Sequence, residues 1–269
     1  SIDDREAHYL KVAADRVLKR RNFLTTIIWE HRTTRENRKV FSNNHEYLLV
    51  YAKNPLTFRE SRNRLEFTSE ARNRYKNPDN DPRGPWQSVS ANVQAGHATL
   101  AQFYEIISPS GRRCSPPKGR CWVFNSQRMR EEIQKNNIWF GRNGNCVPRL
   151  KIFLCNSQGG LTPHTLWSAS EVGTNKSAKK HLLQMFPNEP VFDTPKPEQL
   201  LHRVLSIATD PGDWVLDAYL GSGTTSAVAH KMGRKYIGIE KGDHAVTYCA
   251  HRLRLVVDGE AGGISKYAD

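Results

Sequence analysis

Cysteine is scarce in this 269-residue chain. Five residues (Cys114, Cys121, Cys146, Cys155 and Cys249) form no C-x-x-C pair. An odd, scattered set argues against a disulfide framework and against a tetrahedral zinc site, so no metal is expected. Long apolar runs are also missing. The longest, Tyr47–Ala52, falls far short of the roughly 20 residues a membrane helix needs, and no membrane partner is expected. There is no Gly-Lys-Ser/Thr phosphate loop. The opening Ser1-Ile-Asp-Asp lacks the pattern of a secretory signal, and a reduced, cytoplasmic compartment is the expectation.

Acidic residues are few relative to basic ones: 27 Asp and Glu stand against 40 Lys and Arg, a net charge of +13. The excess is uneven. Residues 59–150 alone hold 13 Arg and 3 Lys against 8 acidic residues. Arginine forks bidentately onto phosphates and guanine edges, so this bias suits a nucleic-acid partner. The plainer reading is a solvated, solubilising face.

Four stretches differ in texture. Residues 1–22 space Ala7, Leu10, Val17 and Leu18 as a helix does, and 24–29 and 46–52 read as strands. Residues 55–190 are turn-rich (DPRGPW, SPSGRRCSPPKGRCW, WFGRNGN), with few long periodic segments and with aromatics among the cations. Each tryptophan there reads singly as core, while the segment as a surface suits binding to a polymer. Residues 191–257 return to dense α/β patterning: helices over 198–208, 224–232 and 243–257, strands over 214–220 and 235–240. The tail 258–269 has no periodicity.

The most specific signal is VLDAYLGSGTTSAVAHKMGRKYIGIE (215–240). It reads as a strand, a glycine turn, a helix and a second strand. Gly221 and Gly223 permit a sharp turn and close approach of a ligand, and Glu240 ends the next strand, where a carboxylate can accept ribose hydroxyls. The dinucleotide pattern would put Gly or Ala at 226, which is Ser226.

The run D-A-Y-L-G-S-G-T-T (217–225) resembles the first motif of S-adenosylmethionine-dependent amino-methyltransferases, D-x-F-x-G-S-G-T-T, with Tyr219 in place of Phe. Thr194-Pro-Lys-Pro resembles that family's K-P motif, 44–53 its N-H-E-Y strand, and Ser1-Ile-Asp-Asp its S-I-D-D. DPRGPW, PSGR and W-F-G resemble phrases in the recognition region of type III modification subunits. The order, recognition segment first and cofactor motif last, is similar to the β-class of bacterial DNA amino-methyltransferases.

The resemblance implies a Rossmann-like methyltransferase sheet, here incomplete, with a loop-rich, partly β target-recognition insertion. Its parts would be 1–54 (first part of the methyltransferase domain), 55–190 (insertion), 191–257 (cofactor-binding part) and 258–269 (tail). It implies methyl transfer from S-adenosylmethionine to adenine N6 in double-stranded DNA, within a restriction-modification system. Cytosine N4 is the alternative target, as is a non-catalytic DNA-binding role. A homodimer and a restriction subunit are the implied partners. Lys196 and Pro197 would flank the cofactor. Asp217 would order the loop or face the methionine ammonium, with Tyr219 beside it. Gly221, Ser222, Gly223, Thr224 and Thr225 would cradle the methionine end, and Glu240 would hold the ribose. Arg112, Arg113, Lys118, Arg120 and Arg142 would meet DNA.

The family's catalytic (D/N/S)-P-P-(Y/F/W) motif is not in the chain. The single Pro-Pro, Pro116-Pro117, is followed by Lys118, which offers no stacking face. In the permuted order that motif precedes S-I-D-D, so the chain reads as a piece of a longer enzyme, and no methyl transfer by this piece unaided is expected.

Overall fold

A computed structural model describes residues 1–157, 159–188 and 190–265. The chain divides into two compact units, Ser1–Leu65 with Thr162–Asp269, and Glu66–Leu161.

The first unit begins with α1 (Ala7–Leu18), β1 (Phe23–Glu30), β2 (His45–Tyr51) and α2 (Pro55–Ser61). β1 and β2 are antiparallel, with Ile28 opposite Tyr47, and Ile2 bridges to Tyr47. α2 starts where it does because Asn54 Oδ1 accepts the N–H groups of Leu56 and Thr57, and Pro55 needs no N–H partner in the first turn.

The second unit holds α3 (Ser69–Asn73), β3 (Trp86–Ser90), β4 (Asn92–Gln94), β5 (Ile106–Ile107), β6 (Arg113–Cys114), β7 (Arg120–Trp122), α4 (Ser126–Gln134), β8 (Ile138–Trp139) and β9 (Arg149–Phe153). Its strands form three small sheets, ordered β3-β9-β8, β4-β7 and β5-β6. Strands this short bury little by themselves. Trp122, Met129, Ile138 and Phe140 supply a shared core. The buried Lys151 ammonium is held by Asp79 and Asp81, with the Trp86 ring 5.2 Å away. Pairing with two carboxylates offsets the cost of burying that charge.

Back in the first unit come β10 (Leu166–Trp167), α5 (Ala169–Val172), α6 (Asn175–Met185) and α7 (Glu198–Ala208). They are followed by β11 (Trp214–Asp217), α8 (Thr224–Lys231) and β12 (Lys235–Gly238), then a π-helical turn, Ala245–Cys249, which runs into α9 (Ala250–Val257). β10 lies parallel to β1 and places Trp167 beside Trp29. These rings pack with Ile27, Val172 and Leu200. β11 and β12 are parallel, from Trp214↔Lys235 to Asp217↔Gly238, with α8 between them in sequence. Val215 packs inward on Val228 and Ala229. On the opposite face Trp214, Leu216 and Ile237 stay 65%, 65% and 50% exposed.

The contact boundaries fall at 65/66 and 161/162, inside the 55–190 stretch marked out by composition. The cause is packing. Val172 and Trp167 join the core of the first unit, and Asn63 bonds back to Thr209 and Asp210. The stretch is also more helical than its turn-rich wording suggests, as α4 and α6 show. Trp86, Trp122 and Trp167 are buried, as expected of core rings. Both strands of the glycine unit stop earlier than their apolar runs, at Asp217 and Gly238. Beyond residue 265 the tail lies outside the described residues.

Candidate functional site

The glycine turn between β11 and α8 is assembled from both sides. Gly223 is the N-cap of α8 with φ +77°, a left-handed conformation that a side chain would strain. Gly238 is needed for another reason: a Cβ there would lie 2.7 Å from the Leu220 side chain. The turn and β12 can come this close because Gly238 lacks a side chain.

Asp217 orders the turn. Its carboxylate accepts the Tyr219 N–H at 3.0 Å and the Thr225 hydroxyl at 2.5 Å. Both oxygens are engaged within the loop, so of the two roles weighed for Asp217 the geometry displays the ordering one. Tyr219 projects its ring outward, 91% exposed.

Glu240 closes the turn from the other strand. One oxygen accepts the N–H of Gly221 at 2.8 Å; the other accepts those of Lys241 at 2.8 Å and Gly242 at 3.3 Å. The Gly221 contact is the main reason its carboxyl is held below the ordinary carboxylate range, with the Gly242 and Lys241 donors adding to it. A carboxylate has about four acceptor positions. Three backbone donors leave it charged, fixed in place and able to accept one more hydrogen bond. His244 Nε2 lies 3.5 Å away.

Below the turn is an ionic network that the sequence reading did not single out. Arg252, 1% exposed, donates to the Ser222 carbonyl at 2.9 Å, to the Thr224 hydroxyl at 2.9 Å and to Glu198 at 3.0 Å. Thr224 donates to the Lys196 carbonyl at 3.1 Å. Glu198 also receives Lys231 at 2.9 Å, and Lys231 reaches Glu260 at 2.5 Å. His181, Glu198 and Glu260 stand close enough together to resemble a metal cluster, but the Lys231 ammonium already sits on both carboxylates and supplies the positive charge. Cys249 donates its thiol hydrogen to the Gly221 carbonyl at 2.9 Å, and burial pushes that thiol up. Arg252 carries a readable signal: it shares a helical stripe with Tyr248, Cys249 and Val256, all buried.

Lys196 and Pro197 sit where α7 begins, Pro197 buried at its N-cap. The Lys196 ammonium pairs with Glu46, at 3.2 Å, and lies over the Trp29 ring. The structure therefore brings together Asp217, Gly221, Ser222, Gly223, Thr224, Thr225 and Glu240, and joins Lys196 to them through its backbone carbonyl.

The cations expected to meet DNA lie in the second unit. Arg113 is exposed and pairs with Glu105 at 3.0 Å; Arg112 donates to the Asn145 carbonyl at 2.9 Å. Lys118 and Arg142 are exposed. Arg120 is half-buried and spends its guanidinium on Asn92, clamping β4 against β7.

A parallel strand–glycine turn–helix–strand unit with a carboxylate clasping the turn is a local arrangement that nucleotide-binding α/β sheets also use. Sequence comparison narrows the class. The DNA methylase family model matches residues 1–251, and the chain belongs to that family. It is 32% identical over 230 residues to the Mod subunit of the type III restriction-modification enzyme StyLTI of Salmonella typhimurium, covering 84% of this chain and 33% of that protein. It is 61% identical over 71 residues to the HindVI Mod subunit of Haemophilus influenzae, 26% of this chain and 10% of that one. It is 40% identical over 98 residues to the DNA adenine methyltransferase YhdJ of Escherichia coli, 32% of each. The chain thus spans a third or less of the length of these relatives. Among the described residues no helix is long and apolar enough to cross a membrane.

Proposed function

We propose that this chain is the cofactor-binding and target-recognition part of an S-adenosylmethionine-dependent DNA methyltransferase that modifies adenine at N6 as the modification subunit of a type III restriction system. The glycine turn clasped by Glu240 carries the reading. Family membership and the similarity to two Mod subunits and an adenine methyltransferase support it. On this reading β11 and β12 belong to a Rossmann-like sheet. Residues 1–65 and 162–257 form the methyltransferase body and residues 66–161 the recognition insertion, with a homodimer and a restriction subunit as partners.

The residues present fit the cofactor. Glu240 is charged, fixed and partly exposed, with an acceptor position left for a ribose hydroxyl. Gly221 to Thr225 offer backbone at the start of a helix, where partial positive charge favours the methionine carboxylate. The exposed Tyr219 ring offers an apolar wall for the adenine. The cofactor, when bound, supplies an electrophilic methyl group. The chain's task is to hold that ligand in one pose, because alignment of donor and acceptor can contribute about 7–11 kcal/mol to such a step. Asp217 and Arg252 serve this by fixing the turn from above and below. Arg112, Arg113, Lys118 and Arg142 would neutralise DNA phosphates, while Arg120 supports the strands behind them.

Calorimetry with S-adenosylmethionine tests the reading directly: saturable 1:1 binding is expected, and it should be strongly weakened by Glu240→Ala. No binding to the folded chain would overturn it. Transfer of labelled methyl by a longer polypeptide that includes the D-P-P-Y segment, followed by nucleoside analysis, separates N6-methyladenine from N4-methylcytosine.

A further inference from the structure

A second site lies where the segment after β1 faces the start of α6. A cleft of about 960 Å3 opens there. One wall is the segment from His31 to Thr34, pinned by Asn44, whose side-chain amide donates to the carbonyls of Arg32 at 2.9 Å and Thr34 at 3.3 Å. The other wall is the first half of α6. That helix is fastened to the sheet: Asn175 N–H bonds the His31 carbonyl at 3.3 Å, and the Trp29 indole bonds the Gly173 carbonyl at 3.0 Å.

The distribution of charge on α6 is the unusual feature. Lys176, Lys179 and Lys180 crowd its N-terminal half, with no acidic residue in the first turn and no basic residue in the last. The helix dipole makes this arrangement unfavourable, because cations belong at the opposite end. Three lysines at a positive helix end raise the local potential together, and a bound anion would offset the repulsion. Two carboxylates also line the cleft, and both are already paired: Glu46 with Lys196 at 3.2 Å, Asp193 with Lys179 at 3.3 Å. Arg32 shares Glu36 with Lys39, leaving an excess positive charge on that wall. Lys176 and Lys180 are exposed and have no carboxylate partner among the described residues. They lie four residues apart on one helix face, a rise of about 6 Å. That is close to two of the roughly 3.4 Å steps between charges along one strand of a duplex.

We infer that this cleft binds the phosphodiester backbone of DNA, through Lys176, Lys180 and Arg32, independently of the cations of the recognition unit. The inference rests on the methyltransferase reading for its choice of DNA over another polyanion. A duplex held here is gripped by the same unit that carries the glycine turn.

The test is fluorescence anisotropy of this chain with a labelled duplex oligonucleotide over a salt series, beside calorimetry with S-adenosylmethionine. Lys176→Gln/Lys180→Gln changes two exposed side chains and should leave the thermal midpoint and cofactor binding unchanged. It should weaken duplex binding at least tenfold at low salt and lower the log–log salt slope by about 1.8, at about 0.9 per phosphate contact. Arg32→Gln should lower the slope by about 0.9 more. Arg142→Gln should weaken binding by the same factor in the wild-type and the double-variant background. Unchanged slope and affinity in the double variant, with a wild-type chain that binds duplex, would overturn the cleft and leave the methyltransferase reading intact. So would loss of binding confined to a single-stranded RNA probe. A wild-type chain that binds neither cofactor nor duplex would overturn both.

Discussion

The carboxylate of Glu240 accepts the backbone N–H of Gly221 at 2.8 Å, so a residue two positions past β12 holds the turn that follows β11. The contact spans nineteen positions of sequence, and each end is fixed by a parallel strand of the same pair. Loss of the charge in Glu240→Gln should weaken S-adenosylmethionine binding about tenfold, the difference between a charged and a neutral hydrogen bond. Glu240→Ala should weaken it further. Calorimetry on both variants gives the comparison.

Backbone donors hold the Glu240 carboxyl below its ordinary value, so the group is ionised in the folded chain at pH values where an unfolded glutamate is already taking up protons. The sign follows: its contribution is present above the unfolded value, about 4.3, and is lost as pH falls through the lower folded value. Cofactor affinity should be flat from about pH 7 to about pH 5 as far as this group is concerned. An affinity that falls along an ordinary glutamate titration would show that the clasp does not form in solution.

Arg252 and Glu198 form a buried pair beneath the turn, each 1% exposed at the side chain. Arg252→Met leaves a buried carboxylate with one cation fewer, a change that typically costs about 3–5 kcal/mol. Arg252→Met/Glu198→Gln should recover part of that loss, because the stranded charge is removed with its partner. Urea unfolding of the two single variants and the double variant measures the coupling. Strictly additive losses would show that the pair is not formed.

Two glycines should fail for different reasons. Gly223→Ala forces a side chain into a left-handed backbone, at about 1–2 kcal/mol. Gly238→Ala puts a Cβ against the end of the Leu220 side chain in the turn, which must shift to make room. Leu220→Ala should partly rescue the second variant and not the first, as read by thermal midpoints.

In the recognition unit, Asp81 is held far below the usual carboxylate range. The Arg83 guanidinium is the main cause, against the opposing effect of burial; the Arg83 N–H and Lys151 add to it. The stability it contributes is present above the unfolded value, about 3.9, and is lost only as pH falls through the much lower folded one. The Asp81→Asn chain should therefore be less stable than wild type at neutral pH, and the gap should narrow only in strong acid. Circular dichroism melts across pH follow this.

The thiols should react in two groups. Cys146 and Cys155 are exposed, whereas Cys114, Cys121 and Cys249 are buried. A thiol reagent should titrate two groups quickly in the folded chain and the rest only on unfolding. Cys249 should be among the slowest, since burial both shields it and disfavours its thiolate.

The glycine unit was legible because its signals are local: glycines at fixed offsets, an apolar run before them, an acid after the next run. The support beneath it was not. Arg252 and Glu198 are 54 residues apart and meet only because α7 and α9 both pack against α8, and no periodicity carries that pairing. The contact boundary at 161/162 departs from the compositional edge at 190 for a similar reason. Residues 162–190 have the composition of a loop region, yet Trp167 and Val172 are drawn into the first unit by Trp29 and Leu200. Arg120 shows the limit of reading charge from sequence. It stands among cations suited to phosphate, but its guanidinium is occupied by Asn92.

The uncovered side of β11 gives the molecule an optical reporter. Trp214 is 65% exposed, Trp139 is half-buried, and Trp29, Trp86, Trp122 and Trp167 are shielded. Red-shifted emission and acrylamide quenching of the folded chain should therefore arise largely from one indole, three residues before Asp217. Any polypeptide that settles on that strand face will announce itself as a blue shift, with no label added.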